Sequence, residues 1–280
     1  MKPPLSPSRT PPNPWSAAAS LAYRELLRFF RQRNRVIGAV GQPIIFWLLF
    51  GAGLSRSFSL SAAGAQQTFL EYYFPGTLVL ILLFTAIFAS ISIIEDRREG
   101  FLQGVLVSPA PAWSMVLGKV GGGASIAFLQ ALLFLLLGLF IRIDGGWQGV
   151  LGCLALLGVI ALSLSALGFF LAWLMDSTQG FHAIMSVLLF PMWLLSGAFF
   201  PIPAPTGSID SHILHWIMRA NPLSYGVAGV RQLLFPNVVQ GPEFWQPSLL
   251  LAWAVALGFL LIALIAASLI SKRRIAGDIL

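Results

Sequence analysis

Residues Phe74–Pro111 read FPGTLVLILLFTAIFASISIIEDRREGFLQGVLVSPAP. From Phe74 to Ile94 there is no Asp, Glu, Lys or Arg. Wound as a helix at about 1.5 Å per residue, such a run crosses about 30 Å of hydrocarbon. The backbone must satisfy its own hydrogen bonds at that depth, so the run is a membrane helix. Five consecutive charges follow, Glu95 to Glu99, then an oily patch and two prolines, Pro109 and Pro111. The span sets the fold class. The charged stretch poses the question of function: a polar loop, or a built element.

Working outward, the same apolar pattern recurs. The chain has 280 residues, is 57% hydrophobic and only 10% charged, and has a mean hydropathy of +0.83. Six spans without Asp, Glu, Lys or Arg are expected, at 36–55, 74–94, 120–141, 149–175, 181–200 and 249–271. The predicted fold is an all-α integral membrane protein with one transmembrane domain over 36–271. A disordered tail (1–14) and an amphipathic helix (15–35) precede it, and a short tail (272–280) follows. Cys153 is the single cysteine, which excludes an intrachain disulfide.

The net charge of +7 reflects topology. No nucleic-acid-binding motif accompanies it. Lys and Arg gather in the N-terminal segment, the Glu95–Lys119 loop and the C-terminal Lys272, Arg273 and Arg274; the opposite loops hold Arg56, Arg142, Arg219 and Arg231. The positive-inside rule then puts both termini in the cytoplasm. Before the first span, Arg24, Arg28, Arg31 and Arg35 form one helical stripe, and Ala18, Ala22, Leu26 and Phe29 form another. This predicts a helix lying flat at the inner leaflet, its arginines near anionic headgroups. Between the last two spans, 201–248 predicts two short apolar helices broken at Asn221-Pro222. They are read as re-entrant or interfacial, with a small capping subdomain as the alternative.

Missing chemistry narrows the function. Charge at the bilayer centre is costly and persists where it works; the spans carry none, which disfavours ion coupling. A P-loop needs G-x-x-x-x-G-K-[ST], whereas Gly118-Lys119 is followed by Val120 and lacks the upstream glycine. His182, His212 and His215 have no carboxylate at metal-ligand spacing. Ser196 with His212 and His215 leaves an intramembrane hydrolase as a remote alternative; the plainer reading of Ser196 is a helix–helix contact.

Wound as a helix, Glu95–Val107 puts Phe101, Leu102, Val105 and Leu106 on one arc and Asp96, Glu99 and Gln103 on another, with Ser108-Pro109 as the stop. The oily arc either packs under the bundle or docks on a soluble partner.

The segment Glu95–Lys119 resembles the hallmark segment of permease subunits of type-2 ABC exporters. Glu95, Glu99, Gly100, Leu102, Leu106, Ser108, Pro109, Gly118 and Lys119 match; Phe101 stands where threonine is usual. LLSGAFFPI (194–202) and NPLSYGVAGVRQLLF (221–235) resemble two further family segments, in the family's order. The resemblance covers nearly the whole chain. It implies a chain without its own cofactor, two copies of a separate ATPase that bind ATP-Mg, and a second permease chain, as a homodimer. It implies a bacterial inner-membrane location and export of a lipophilic or amphipathic substrate (drug, lipid or glycan-type) by alternating access. It makes the helix between spans two and three a coupling helix, with Glu95, Arg97, Arg98, Glu99, Gly100, Phe101, Leu102, Val105 and Leu106 as the coupling site. Arg97, Arg98 and Glu99 would contact the ATPase or the N-terminal helix. Spans two and five would line the path, with Thr85, Phe88, Ser92, Met185, Leu189 and Trp193 as candidates. The alternatives are a membrane scaffold, an intramembrane enzyme or an ion-coupled secondary transporter.

Overall fold

The computed structural model describes residues 13–54, 60–62, 65–108, 110–141, 143–205, 209–237 and 243–272. The expected tails at 1–12 and 273–280, and the side chains of Arg35 and Leu106, lie outside the described residues. The helices are α1 (Pro14–Arg31), α2 (Arg33–Leu54), α3 (Phe69–Arg98), α4 (Phe101–Leu106), α5 (Ala112–Leu135), α6 (Gly146–Leu174), α7 (Thr178–Ile184), α8 (Phe190–Trp193), α9 (Ile209–Ala220), α10 (Pro222–Leu234) and α11 (Leu249–Ile270). A small antiparallel ribbon, β1 (Leu60–Ala62) and β2 (Ala65–Gln67), joins α2 to α3, with Leu60 opposite Gln67.

Among the described residues, five helices are long and apolar enough to cross a membrane: Phe69–Arg98, Ala112–Phe140, Gly146–Leu174, Thr178–Ala198 and Leu249–Ile270. The remaining expected span, 36–55, falls on the 22-residue α2. The helix α3 is longer than its apolar run at both ends. It starts at a capping box, in which the Thr68 hydroxyl accepts from the Glu71 N–H and the Glu71 carboxylate from the Thr68 N–H. It continues through the charges to Arg98.

The helix α3 is the axis of the bundle. Residues from Tyr72 to Leu83 are buried all the way round, against α2, α5, α6 and α10. A helix apolar on every face belongs in such a central position. By contrast, α11 packs on α6 and α10 and leaves Leu250, Leu257, Leu261 and Ile262 exposed.

The helix α1 departs from the expected flat interfacial helix. It docks along α5, running in the same direction. A Cβ on Gly118 would stand 2.7 Å from the Ala18 carbonyl, and one on Gly122 would stand 2.8 Å from the Glu25 Cβ. Small residues four apart on α5 (Gly118, Gly122) meet small residues four apart on α1 (Ala18, Ala22), which lets the backbones approach. The apolar stripe therefore packs on protein, and Phe29 closes the contact with Ala89 and Ile126. The helix ends at Arg31, so Arg35 belongs to α2.

The span Thr178–Ala198 is not a plain helix. Pro191 has no N–H and crowds the preceding turn. The ladder widens into π turns at Met185–Leu189 and Leu194–Ala198, with Gly197 in the left-handed region at φ +75°. Beyond it, α9 and α10 break at Asn221-Pro222 as expected, with the Asn221 side chain capping α10. Buried along most of its length, α10 belongs to the core, while α9 turns His215 and Met218 inward and Ile213, Trp216 and Ile217 outward. A bridge between Pro203 and Phe244 fastens the flanking chain.

Candidate functional site

Chemistry concentrates at the end of the bundle where α3 finishes. Asp96, one turn from the end of α3, is fully buried. Arg24 of α1 grips it with two parallel bonds, Nη2 to Oδ1 at 2.8 Å and Nη1 to Oδ2 at 3.0 Å, the strong bidentate form. Arg28 donates to Asp96 Oδ1 at 2.7 Å and to Glu95 Oε2 at 2.8 Å. Lys119 of α5, itself buried, bonds Glu25 at 2.6 Å and pairs with Asp96. Its ammonium also lies 3.3 Å from the Ser92 hydroxyl. Hydrogen bonding to Asp96 raises the pKa of Arg24 above its ordinary value, against the opposing effect of burial.

Three cations and three carboxylates thus join α1, α3 and α5. Such a buried network contributes little net stability when intact, yet losing one member costs about 3–5 kcal/mol. Its role is registry: it fixes α1 to the end of α3. Arg24 and Arg28, expected near headgroups, here take carboxylates of α3 as their anions. Arg31 is exposed beyond the cluster.

Arg97 and Arg98 point elsewhere. Arg97 donates to the Trp173 carbonyl at 2.9 Å and to that of Met175 at 3.3 Å; Arg98 donates to that of Asp176 at 3.0 Å. These are carbonyls left open where α6 ends, a natural place for cations. Both arginines tie α3 to the α6–α7 turn, while Glu99 lies 3.6 Å from Arg28 of the N-terminal helix.

The expected single helix Glu95–Val107 is broken. Gly100 takes φ +76°, which a side chain would resist, and the chain turns there between α3 and α4. On α4 the arcs separate. Phe101 lies under the Arg24 guanidinium, 3.8 Å from its ring centre. Leu102 is buried in the core and Val105 is half-buried against it. Gln103, Gly104 and Val107 are exposed, Val107 at 85%. An apolar groove of about 410 Å³ runs between α1, α4 and α5, lined by Leu21, Phe101, Val105, Pro111 and Met115. The structure thus gathers Arg24, Arg28, Glu95, Phe101, Leu102 and Val105 and leaves Arg97 and Arg98 on another face. Glu25, Asp96, Gly118, Lys119 and Gly122 complete the arrangement. Gly118 and Lys119 are marked by the family resemblance, whereas Glu25 shows in the sequence only as a lone acid among arginines.

Of the six expected path residues, five are buried within the chain. Thr85 bonds Gln130, Ser92 contacts Lys119, and Met185, Leu189 and Trp193 are buried, with the Trp193 indole donating to the Gly76 carbonyl at 2.8 Å. The reason is the central position of α3, whose polar groups find partners within the chain. Only Phe88 reaches the surface, half-buried beside the half-buried Phe84, at 5.9 Å, and the exposed His182, at 5.8 Å. The hydrolase alternative also lapses: the Ser196 hydroxyl donates to Trp193, and His215 holds the Pro203 carbonyl at 2.8 Å.

Comparison with known proteins agrees with this geometry. Residues 17–235, which contain the whole charge cluster and α4, match the family described as ABC-2 type transporter. The chain is 24% identical over 257 residues to the daunorubicin resistance ABC transporter permease protein DrrB1 of Streptomyces coeruleorubidus, covering 90% of this chain and 86% of that protein. It is 25% identical over 215 residues to the "Putative transport permease ycf38" of Cyanophora paradoxa, covering 76% of this chain and 72% of that protein. The chain belongs to the ABC-2 type transporter family, as a membrane permease subunit.

Proposed function

We propose that this permease is an exporter driven by a separate ATPase, and that the ATPase seats on the face of α4 formed by Gln103, Gly104 and Val107. The observation that carries this reading is the division of α4. Its inner side is held by Leu102, Val105 and the Arg24–Phe101 stack, while its other side stands exposed on a rigid base. A push on α4 reaches α1 through Arg24 and reaches α3 and α5 through Asp96 and Lys119. The two states of such a transition must differ in their contacts with the partner.

In this reading two permease chains and two ATPase chains assemble, and the ATPases bind ATP-Mg. The α4 end faces the cytoplasm, both termini lie inside, and the membrane is the bacterial inner membrane. The path runs beside the strip of Phe84, Phe88 and His182, at the surface available to a second chain. An aromatic strip suits an amphipathic substrate, and the daunorubicin resistance in the name of the Streptomyces relative supports a drug-like one.

The test is co-purification with the neighbouring ATPase. Val107→Asp should abolish retention of the ATPase while the permease still elutes as a single species. Leu102→Asp, at a buried position, should instead damage the permease itself. Full ATPase retention by Val107→Asp would remove α4 from the interface.

A further inference from the structure

At the end of the bundle opposite α4, Arg231 of α10 is buried, at 5% exposure. Among the described residues no carboxylate stands within ion-pair distance of it. Its Nη2 donates to the Gly197 carbonyl at 2.9 Å and to the Tyr72 carbonyl at 3.3 Å. The guanidinium lies 4.1 Å from the centre of the Tyr72 ring, and the Tyr72 hydroxyl donates to the same Gly197 oxygen at 2.9 Å. A buried cation in a membrane domain needs negative charge around it. Here the carbonyls and the ring face of Tyr72 supply it.

The Gly197 carbonyl is available because the Thr178–Ala198 span ends there and the residue four on, Pro201, has no N–H. Leu195 and Gly197 also leave helical geometry, and the carbonyls of Met192, Leu195 and Gly197 accept from other elements. Side chains from outside the span take them. Asn221 donates to the Met192 carbonyl, and Arg231 and Tyr72 to that of Gly197. A break at membrane depth is tolerated when neighbours re-satisfy the backbone in this way.

We infer that Arg231, supported by Asn221, is a positioning residue that latches the broken end of the Thr178–Ala198 span to the start of α3. One guanidinium nitrogen bridges carbonyls on both helices, so parting them strips a buried cation of its partners. Under the exporter reading, on which this consequence rests, the latch keeps the exit closed until the ATPase drives it open.

The experiment reads the latch without the ATPase. In a Cys153→Ala background, Ser196→Cys places a thiol in the broken turn, where Ser196 is buried. Ser163→Cys, also buried, serves as a probe of general loosening in α6. The purified protein in detergent is treated with a water-soluble maleimide. Loss of a charge-assisted bond should speed labelling at position 196 by about tenfold in Arg231→Met. Arg231→Lys, which restores a cation and donor, should bring the rate part of the way back. Labelling at position 163 should stay unchanged. Unchanged labelling at position 196, or equal acceleration at both positions, overturns the inference. If Arg231→Met does not give folded protein, Arg231→Gln is judged by the same rates. Failure of the ATPase to co-purify would sink the exporter reading and leave these rates standing.

Discussion

Asp96 receives two bonds from Arg24 and one from Arg28 and pairs with Lys119, with no exposure to solvent. Asp96→Ala would leave three cations with Glu25, Glu95 and the more distant, exposed Glu99, and should cost about 3–5 kcal/mol. Thermal unfolding of the detergent-solubilised permease would measure this. Replacing Asp96 and Lys119 together by leucine and methionine should cost less than Asp96→Ala alone, because apolar packing can replace a buried pair. The sequence put Asp96 with Glu99 and Gln103, on an arc apart from the apolar one. A helical wheel knows only local spacing, while Arg24 lies 72 positions away and Lys119 lies 23. Phe88 was named from the sequence and does reach the surface. Phe88→Ala should lower substrate transport several-fold while leaving ATPase turnover of the assembled complex intact, as measured in proteoliposomes.

At the scale of elements, α1 was legible as an amphipathic helix, yet its resting place was not. Its apolar stripe is compatible with either lipid or protein, and the choice was made by Gly118 and Gly122 on α5. Gly118→Val should unseat α1, since even a Cβ there meets the Ala18 backbone and the Leu21 side chain at 2.7 Å. Limited proteolysis should then cut between α1 and α2 much faster than in the parent protein. The end of α4 was legible from Ser108-Pro109. Its beginning was hidden, because a glycine inside a run does not announce a left-handed turn. Pro191 was the visible sign of the broken span, but an apolar run reads as one helix whether or not its ladder slips.

For the whole molecule, five of the six expected spans and their order could be read from apolar length alone. Their arrangement could not, because α3 is apolar on every side and offers no face to match with a neighbour. Burial around α3 emerges only from assembly. The proposed complex should have the mass of two permeases and two ATPases, checked by light scattering or native mass spectrometry; a one-to-one complex would contradict it.

The two ends of the Thr178–Ala198 span are fastened differently. At one, Arg97 and Arg98 fix α3 to Met175 and Asp176, just before the span begins; at the other sits Arg231. A beam clamped at both ends can only bow, and it bows where its internal bracing is weakest, at the wide turn Met185–Leu189. With the Arg231 clamp and its companions Tyr72 and Asn221 released, the same span becomes a cantilever about 30 Å long. Each degree of rotation at its root then moves its far tip by about 0.5 Å.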